Sequence, residues 1–261
     1  MVNERTFVLG VGAQKAGTTW LHSYIASNAT AHMGFTKEYH IWDAVHSPLC
    51  KNFKFHNAQL SQLNTTNYLR YCMQNISGFY EGYFNSIFNS GAKITGDITP
   101  SYSGLTEDAF HQLKGKIKFT GANIRCVFLM RDPVDRCWSA VRSVLRNQKN
   151  VDEQVLEKVY SNEQYQFRTR YEIICERLRN VFADEELYFG FYETMFDDGE
   201  LERISKFLSI PVNFEYRNKQ VNVSTKRNQI SVDLRERIKC FYSDTYNYCF
   251  ENFEETKLIW K

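Results

Sequence analysis

The sequence predicts an α/β fold, a single domain over residues 1–261 with a central, mainly parallel sheet flanked by helices. Two observations carry that prediction. Short apolar, β-rich runs alternate four times with stretches of helical periodicity, the order that builds parallel sheets through crossover helices. The composition is that of an ordinary globular protein, with 43% hydrophobic and 24% charged residues in 261 and only 4 prolines, so a disordered or fibrous chain is excluded.

In chain order, the pairs are Thr6–Val11 with Thr18–Ser27, Lys93–Asp97 with Thr106–Leu113, Arg125–Met130 with Pro133–Arg146, and Glu186–Phe191 with Glu200–Leu208. Leu60–Phe88 and Asp152–Val181 read as longer helices carrying aromatic stripes, and Val232–Phe250 as a closing helical segment. Tyr80, Phe84, Ile87 and Phe88 recur at helical spacing, which packing explains better than ligand binding. Repeats and linker-like tracts are absent from the sequence, so one domain is the simplest division.

A formal net charge of +2 gives no global field toward nucleic acid or an anionic membrane, so anion recognition must be local. The N-terminus runs into an apolar strand without a basic region and apolar core, and apolar runs are all short, so neither a leader nor a membrane anchor is expected. Seven scattered cysteines without a C-x-x-C pair argue against a disulfide framework or a zinc knuckle. Reduced thiols and a cytoplasmic location are the expectation.

The first chemical signal is Gly12-Ala13-Gln14-Lys15-Ala16-Gly17-Thr18-Thr19-Trp20, which leaves a hydrophobic strand and opens a helix. That context lets backbone N–H groups and the helix dipole hold an anion. A dinucleotide fingerprint would need glycine where Lys15 stands, and a nucleotide-kinase loop would need lysine where Thr18 stands. The lysine lies within the loop, where it can meet an oxygen of a sugar-side phosphate without a metal.

A second signal is Cys126–Met130 followed by Arg131-Asp132-Pro133-Val134-Asp135-Arg136-Cys137-Trp138-Ser139. Asp132 reads as the N-cap, Pro133 as the first helical residue and Asp135 as a first-turn acid. Arg131 at the strand end and Ser139 two turns into the helix can converge on one anion, with guanidinium geometry suited to phosphate. Arg136 reads as structural.

Together these blocks resemble the sulfotransferases that use 3′-phosphoadenosine-5′-phosphosulfate (PAPS). The resemblance implies that Lys15, Ala16, Gly17, Thr18, Thr19 and Trp20 cradle the 5′-phosphosulfate, with Lys15 at the leaving oxygen. It implies that Arg131 and Ser139 hold the 3′-phosphate, and that a late basic loop with Lys226 and Arg227 closes over it. Lys37-Glu38-Tyr39-His40-Ile41-Trp42-Asp43 resembles the K-E-x-H-F-F-D stretch of glycan, heparan-sulfate-type sulfotransferases, with Ile41 and Trp42 in place of the two phenylalanines. Glu38 is then the preferred catalytic base and His40 the alternative; an extended backbone would put both on one face.

Gly96-Asp97-Ile98-Thr99-Pro100-Ser101-Tyr102 resembles the family's G-E-K-T-P-x-Y segment, with Asp97 for glutamate and Ile98 for lysine. Asp97 and Tyr102 are therefore expected to line the acceptor site, while the lost lysine keeps acceptor preference from being transferred. The expected activity is sulfuryl transfer from PAPS to a hydroxyl or amine of a small molecule or glycan, leaving adenosine 3′,5′-bisphosphate, without a metal. A nucleotide kinase and a non-catalytic adenosine-bisphosphate sensor are the rival readings, and oligomeric state is not readable.

Overall fold

The computed structural model describes residues 5–145, 153–218 and 230–260. Four parallel strands, β1 (Thr6–Gly12), β2 (Ile94–Ile98), β3 (Asn123–Met130) and β4 (Leu187–Phe191), form one sheet in the order β2-β1-β3-β4. Every residue of β1 and β2 is buried, so helices must cover both faces of the sheet. That is why these strands read as continuous apolar runs instead of alternating ones.

Register puts Leu9 opposite Asp97 on one side and opposite Cys126 on the other, and pairs Met130 with Phe191. The carboxyl ends of all four strands therefore open on one edge, where α/β sheets bind ligands outside the strand order reversal at β1.

Helices α1 (Thr18–Ala26) and α2 (Trp42–His46) follow β1, and α3 (Thr65–Asn75) and α4 (Phe79–Asn89) precede β2. The expected long helix over 60–88 is thus two helices. The first ends at Ile76, whose backbone is extended, and Gly78, with a left-handed φ of +83°, starts the second as its N-cap. On α4, Tyr80, Phe84, Ile87 and Phe88 are all buried, and Phe84 meets Phe7 of β1 edge to face at 4.8 Å. The stripe is packing, as its period suggested.

Helix α5 (Glu107–Phe119) leads to β3, and α6 (Pro133–Val144) leaves it. Asp132 caps α6 by accepting from the Asp135 amide at 2.9 Å, and Pro133 occupies the first helical position. The stretch read as one helix over 152–181 resolves, in its described part, into α7 (Glu153–Val159), α8 (Glu163–Gln166) and α9 (Tyr171–Val181). After β4 come α10 (Asp198–Leu208), α11 (Val232–Phe241), α12 (Ser243–Asn252) and α13 (Thr256–Ile259). No helix among the described residues is long and apolar enough to cross a membrane.

Candidate active site

The β1 loop turns into α1 through Gly17, whose φ is +89°. A Cβ there would stand 2.3 Å from Met195 Sδ and 3.3 Å from the Tyr192 ring, so only glycine fits both the conformation and the close approach. Lys15 also adopts a left-handed φ, +72°, and Arg131 Nη1 donates to its carbonyl at 3.2 Å. The two anion motifs, far apart in sequence, are thereby in direct contact. A lysine in this backbone region is held there by its surroundings.

The amides at the start of α1 have no intrahelical acceptor and stand at the positive end of a nine-residue helix. Thr18 is buried, and Thr19, Lys15 and Gly17 are half-buried. The Ala16 amide is already engaged, donating to the Ala13 carbonyl at 3.2 Å. Ala16 is fully buried, and the Trp20 indole stacks on Tyr24 at 5.0 Å while its Nε1 donates to the Tyr216 carbonyl at 3.1 Å.

At the end of β3 the Arg131 guanidinium lies 4.2 Å from the Tyr192 ring centroid, a cation–π platform supplied by the turn after β4. The Tyr171 hydroxyl donates to the Arg131 carbonyl at 2.9 Å and fixes the backbone. Ser139 is half-buried on α6. Arg136 is fully buried beside Cys137 and Tyr165, as its structural reading required. Lys226 and Arg227 lie outside the described residues.

A charged chain faces the β1 loop. Lys37 Nζ is 3.4 Å from Thr18 Oγ1 and donates to Glu38 Oε1 at 2.6 Å. Glu38 Oε2 lies 3.4 Å from His40 Nε2, and His40 Nδ1 lies 2.7 Å from Asp43 Oδ2. Asp43 is fully buried, and the Ser101 hydroxyl donates to it at 2.5 Å. The His40 ring stacks on Phe53 at 3.6 Å, and the Gln74 amide donates to the His40 carbonyl at 2.7 Å.

Glu38 and His40 do meet, but not through an extended backbone, because His40 has φ +56°. The left-handed kink, not period two, turns the ring back to the carboxylate. Lys37, Asp43 and Ser101 were given no role from the sequence, although all three stand inside the two acceptor-side blocks. Their roles depend on neighbours that only folding supplies.

Burial alone would push the Glu38 carboxyl up, but the hydrogen bond from His40 and the Lys37 ammonium overcome it and hold the group at about 2. Burial would lower His40, but Asp43 and Glu38 outweigh it and raise the imidazole to about 9. At neutral pH the pair is carboxylate and imidazolium, so His40 donates a proton and cannot accept one. Among the described residues no group of three His, Cys, Asp or Glu side chains could hold a metal ion.

The raised His40 value has a sign. The folded state holds a proton that the unfolded chain releases above its ordinary 6.5, so the stabilisation is complete below about 6.5 and lost as pH rises through about 9. His40→Gln should therefore melt below the wild type at pH 6, with the gap closing above pH 9. A gap that stays constant from acid to alkaline pH would show that His40 is not held as an imidazolium.

Asp97 and Tyr102 require a correction. Both are fully buried, so neither lines an acceptor surface. The Asp97 carboxylate accepts from Thr99 Oγ1 at 2.6 Å, the Tyr102 hydroxyl at 2.8 Å and the Tyr80 hydroxyl at 3.2 Å. Tyr102 in turn accepts from the amides of Ile41 and Trp42, and Thr99 from that of Tyr39. The pair thus fastens the 39–42 backbone from behind. Burial is the chief reason the Asp97 carboxyl is pushed up to about 7, against the donors around it.

Comparison with known proteins bears on the fold and the family. Similarity to solved structures includes a sulfotransferase from Alicyclobacillus acidocaldarius, at 18% identity and a TM-score of 0.60, with 93% of each chain covered. It includes mouse sulfotransferase SULT7A1 complexed with PAP, at 12% identity and a TM-score of 0.51, covering 98% of this chain and 88% of that one. At these identities the likeness is one of fold. No protein of curated function matches the sequence significantly. The sulfotransferase-domain family profile, however, matches residues 5–234, nearly the whole chain, and with the β1 loop and the β3 arginine at one sheet edge this chain belongs to the sulfotransferase family as an enzyme of sulfuryl transfer.

Proposed function

We propose that the chain transfers a sulfuryl group from PAPS to a hydroxyl or amine acceptor by in-line displacement. The observation that supports the reading is the contact between Arg131 Nη1 and the Lys15 carbonyl, which brings the two anion motifs together at one edge of the sheet. The donor is the one the family implies. In this reading the amides of Gly17 to Trp20 and the hydroxyls of Thr18 and Thr19 hold the 5′-phosphosulfate, and Lys15 meets the leaving oxygen. Arg131 and Ser139 hold the 3′-phosphate.

Glu38 takes the acceptor proton. A carboxylate held at about 2 is a weak base, but Lys37 stands between Glu38 and Thr18, within reach of the cradle. Bound phosphosulfate draws the ammonium toward itself, and the Glu38 carboxylate, relieved of one cation, becomes more basic. His40, fixed by Asp43, orients Glu38 and stabilises its negative charge between turnovers. A kinase reading is disfavoured because Lys15 precedes Gly17 and Thr18 occupies the position a γ-phosphate lysine would need.

The test is transfer of labelled sulfate from PAPS to panels of carbohydrate, phenol, lipid and peptide acceptors. Incorporation into one panel supports the reading and names the acceptor class; PAPS binding without transfer to any panel would favour the sensor. Magnesium-dependent ATP turnover would restore the kinase.

Arg131→Ala is expected to weaken adenosine 3′,5′-bisphosphate binding by about 1.5–3 kcal/mol, the loss of a charged hydrogen bond. An analogue without the 3′-phosphate should lose clearly less, only what release of the Lys15 carbonyl costs the β1 loop. Calorimetry giving equal losses for both ligands would remove Arg131 from the 3′-phosphate.

A further inference from the structure

Arg142 lies one helical turn beyond Ser139 on α6, so the two side chains share a flank, with Asp135 a turn earlier on the same flank. Asp135 is already engaged, since Arg235 Nη2 donates to its carboxylate at 2.9 Å. The Arg142 guanidinium packs 5.8 Å from the Trp138 ring centroid. Among the described residues, neither Arg131 nor Arg142 has a carboxylate within the 4.0 Å of an ion pair. The Nε atoms of both are buried without a hydrogen-bond partner among the described residues.

Burial and then the neighbouring Arg131 charge hold the Arg142 guanidinium below its ordinary value, so the two cations feel each other. Of the acids whose charge acts on these two cations, Asp135 is shared with a third arginine, Arg235, and Glu193, on the Arg131 side, accepts from the Asp132 amide at 2.9 Å. A phosphate monoester carries close to two negative charges at neutral pH and accepts several hydrogen bonds, which matches two guanidiniums and a hydroxyl.

We infer that Arg142 is a second guanidinium of the 3′-phosphate subsite, acting with Arg131 and Ser139 to select 3′-phosphorylated adenosine nucleotides. This rests on the cofactor reading above. It adds a specificity residue from the helix itself, one turn past the R-x-P-x-x-R-x-x-S block that pointed to the subsite.

The experiment is calorimetric titration of the full chain, wild type, Arg142→Gln and Arg142→Lys, with adenosine 3′,5′-bisphosphate and with adenosine 5′-phosphosulfate. Arg142→Gln should bind the bisphosphate about 10- to 100-fold more weakly, as for a lost charged hydrogen bond, and the 5′-phosphosulfate within about twofold of wild type. Arg142→Lys keeps the charge without the fork and should fall between them, still with a selective loss. The unchanged 5′-phosphosulfate affinity doubles as the control for folding, and the lysine variant carries the test if the glutamine variant does not fold. Equal losses for both ligands, or a bisphosphate affinity unchanged in either variant, would overturn the role of Arg142 alone. A wild type that binds neither nucleotide would bring down the cofactor reading and this inference together.

Discussion

Glu38→Gln lowers turnover about 10²- to 10⁴-fold with a saturating acceptor, the range for loss of a general base. The substitution is nearly isosteric and keeps an oxygen for Lys37 or His40, so the cradle should bind the nucleotide almost as before. It removes the acceptor for the substrate proton. Glu38 is fixed from two sides, by Lys37 at 2.6 Å and His40 at 3.4 Å, so the amide that replaces it should stay in place. Rapid-quench measurement of the transfer step separates chemistry from product release. A wild-type transfer rate in the variant would exclude Glu38 as the base.

Lys15→Ala should cost about 10²- to 10³-fold in turnover, comparable to removing a donor aimed at developing negative charge. Affinity for PAPS should fall much less, because the ammonium is worth most when the bond to sulfur breaks and the departing phosphate oxygen gains charge. The loop geometry supports that separation. The Lys15 backbone is held in its left-handed conformation by Arg131 through the carbonyl, which alanine retains, so the cradle should keep its shape. Comparing the transfer rate at saturating PAPS with PAPS affinity checks the prediction. Equal losses in the two would mean that Lys15 binds the ground state and has no special place in the transition state.

The Arg131 contact gives physical form to a link between the two motifs that the sequence offered only through their order and their resemblance. Each is a local signal, a strand end running into a helix start, and local signals survive in sequence because capping and phosphate-binding amides need particular residues at fixed offsets. Asp132 and Pro133 are legible for the same reason. The break over Ile76–Gly78 does not show in the sequence pattern because aromatic periodicity runs on both sides of it, and an extended Ile76 followed by a left-handed Gly78 outweighs that pattern.

The acceptor side was less legible. Glu38 and His40 were named by resemblance, but the argument that an extended strand brings them together fails at the His40 kink. Asp97 and Tyr102 stand at a strand end, where a polar residue commonly faces a ligand. Here they face inward, because three backbone amides of the 39–42 segment need acceptors and the Thr99 and Tyr102 hydroxyls, themselves anchored on Asp97, supply them.

The sequence by itself determined the α/β class, the four strands and the helices that follow them, and the two anion motifs, because apolar periodicity and helix-terminus chemistry act within a few residues. Tertiary structure alone decided the protonation of the Glu38–His40 pair, the burial of Asp97 and Tyr102, and the meeting of Arg131 with the Lys15 loop. Each of those depends on charge and solvent access set by residues tens of positions away, and electrostatic fields and desolvation follow distance in space, not in sequence.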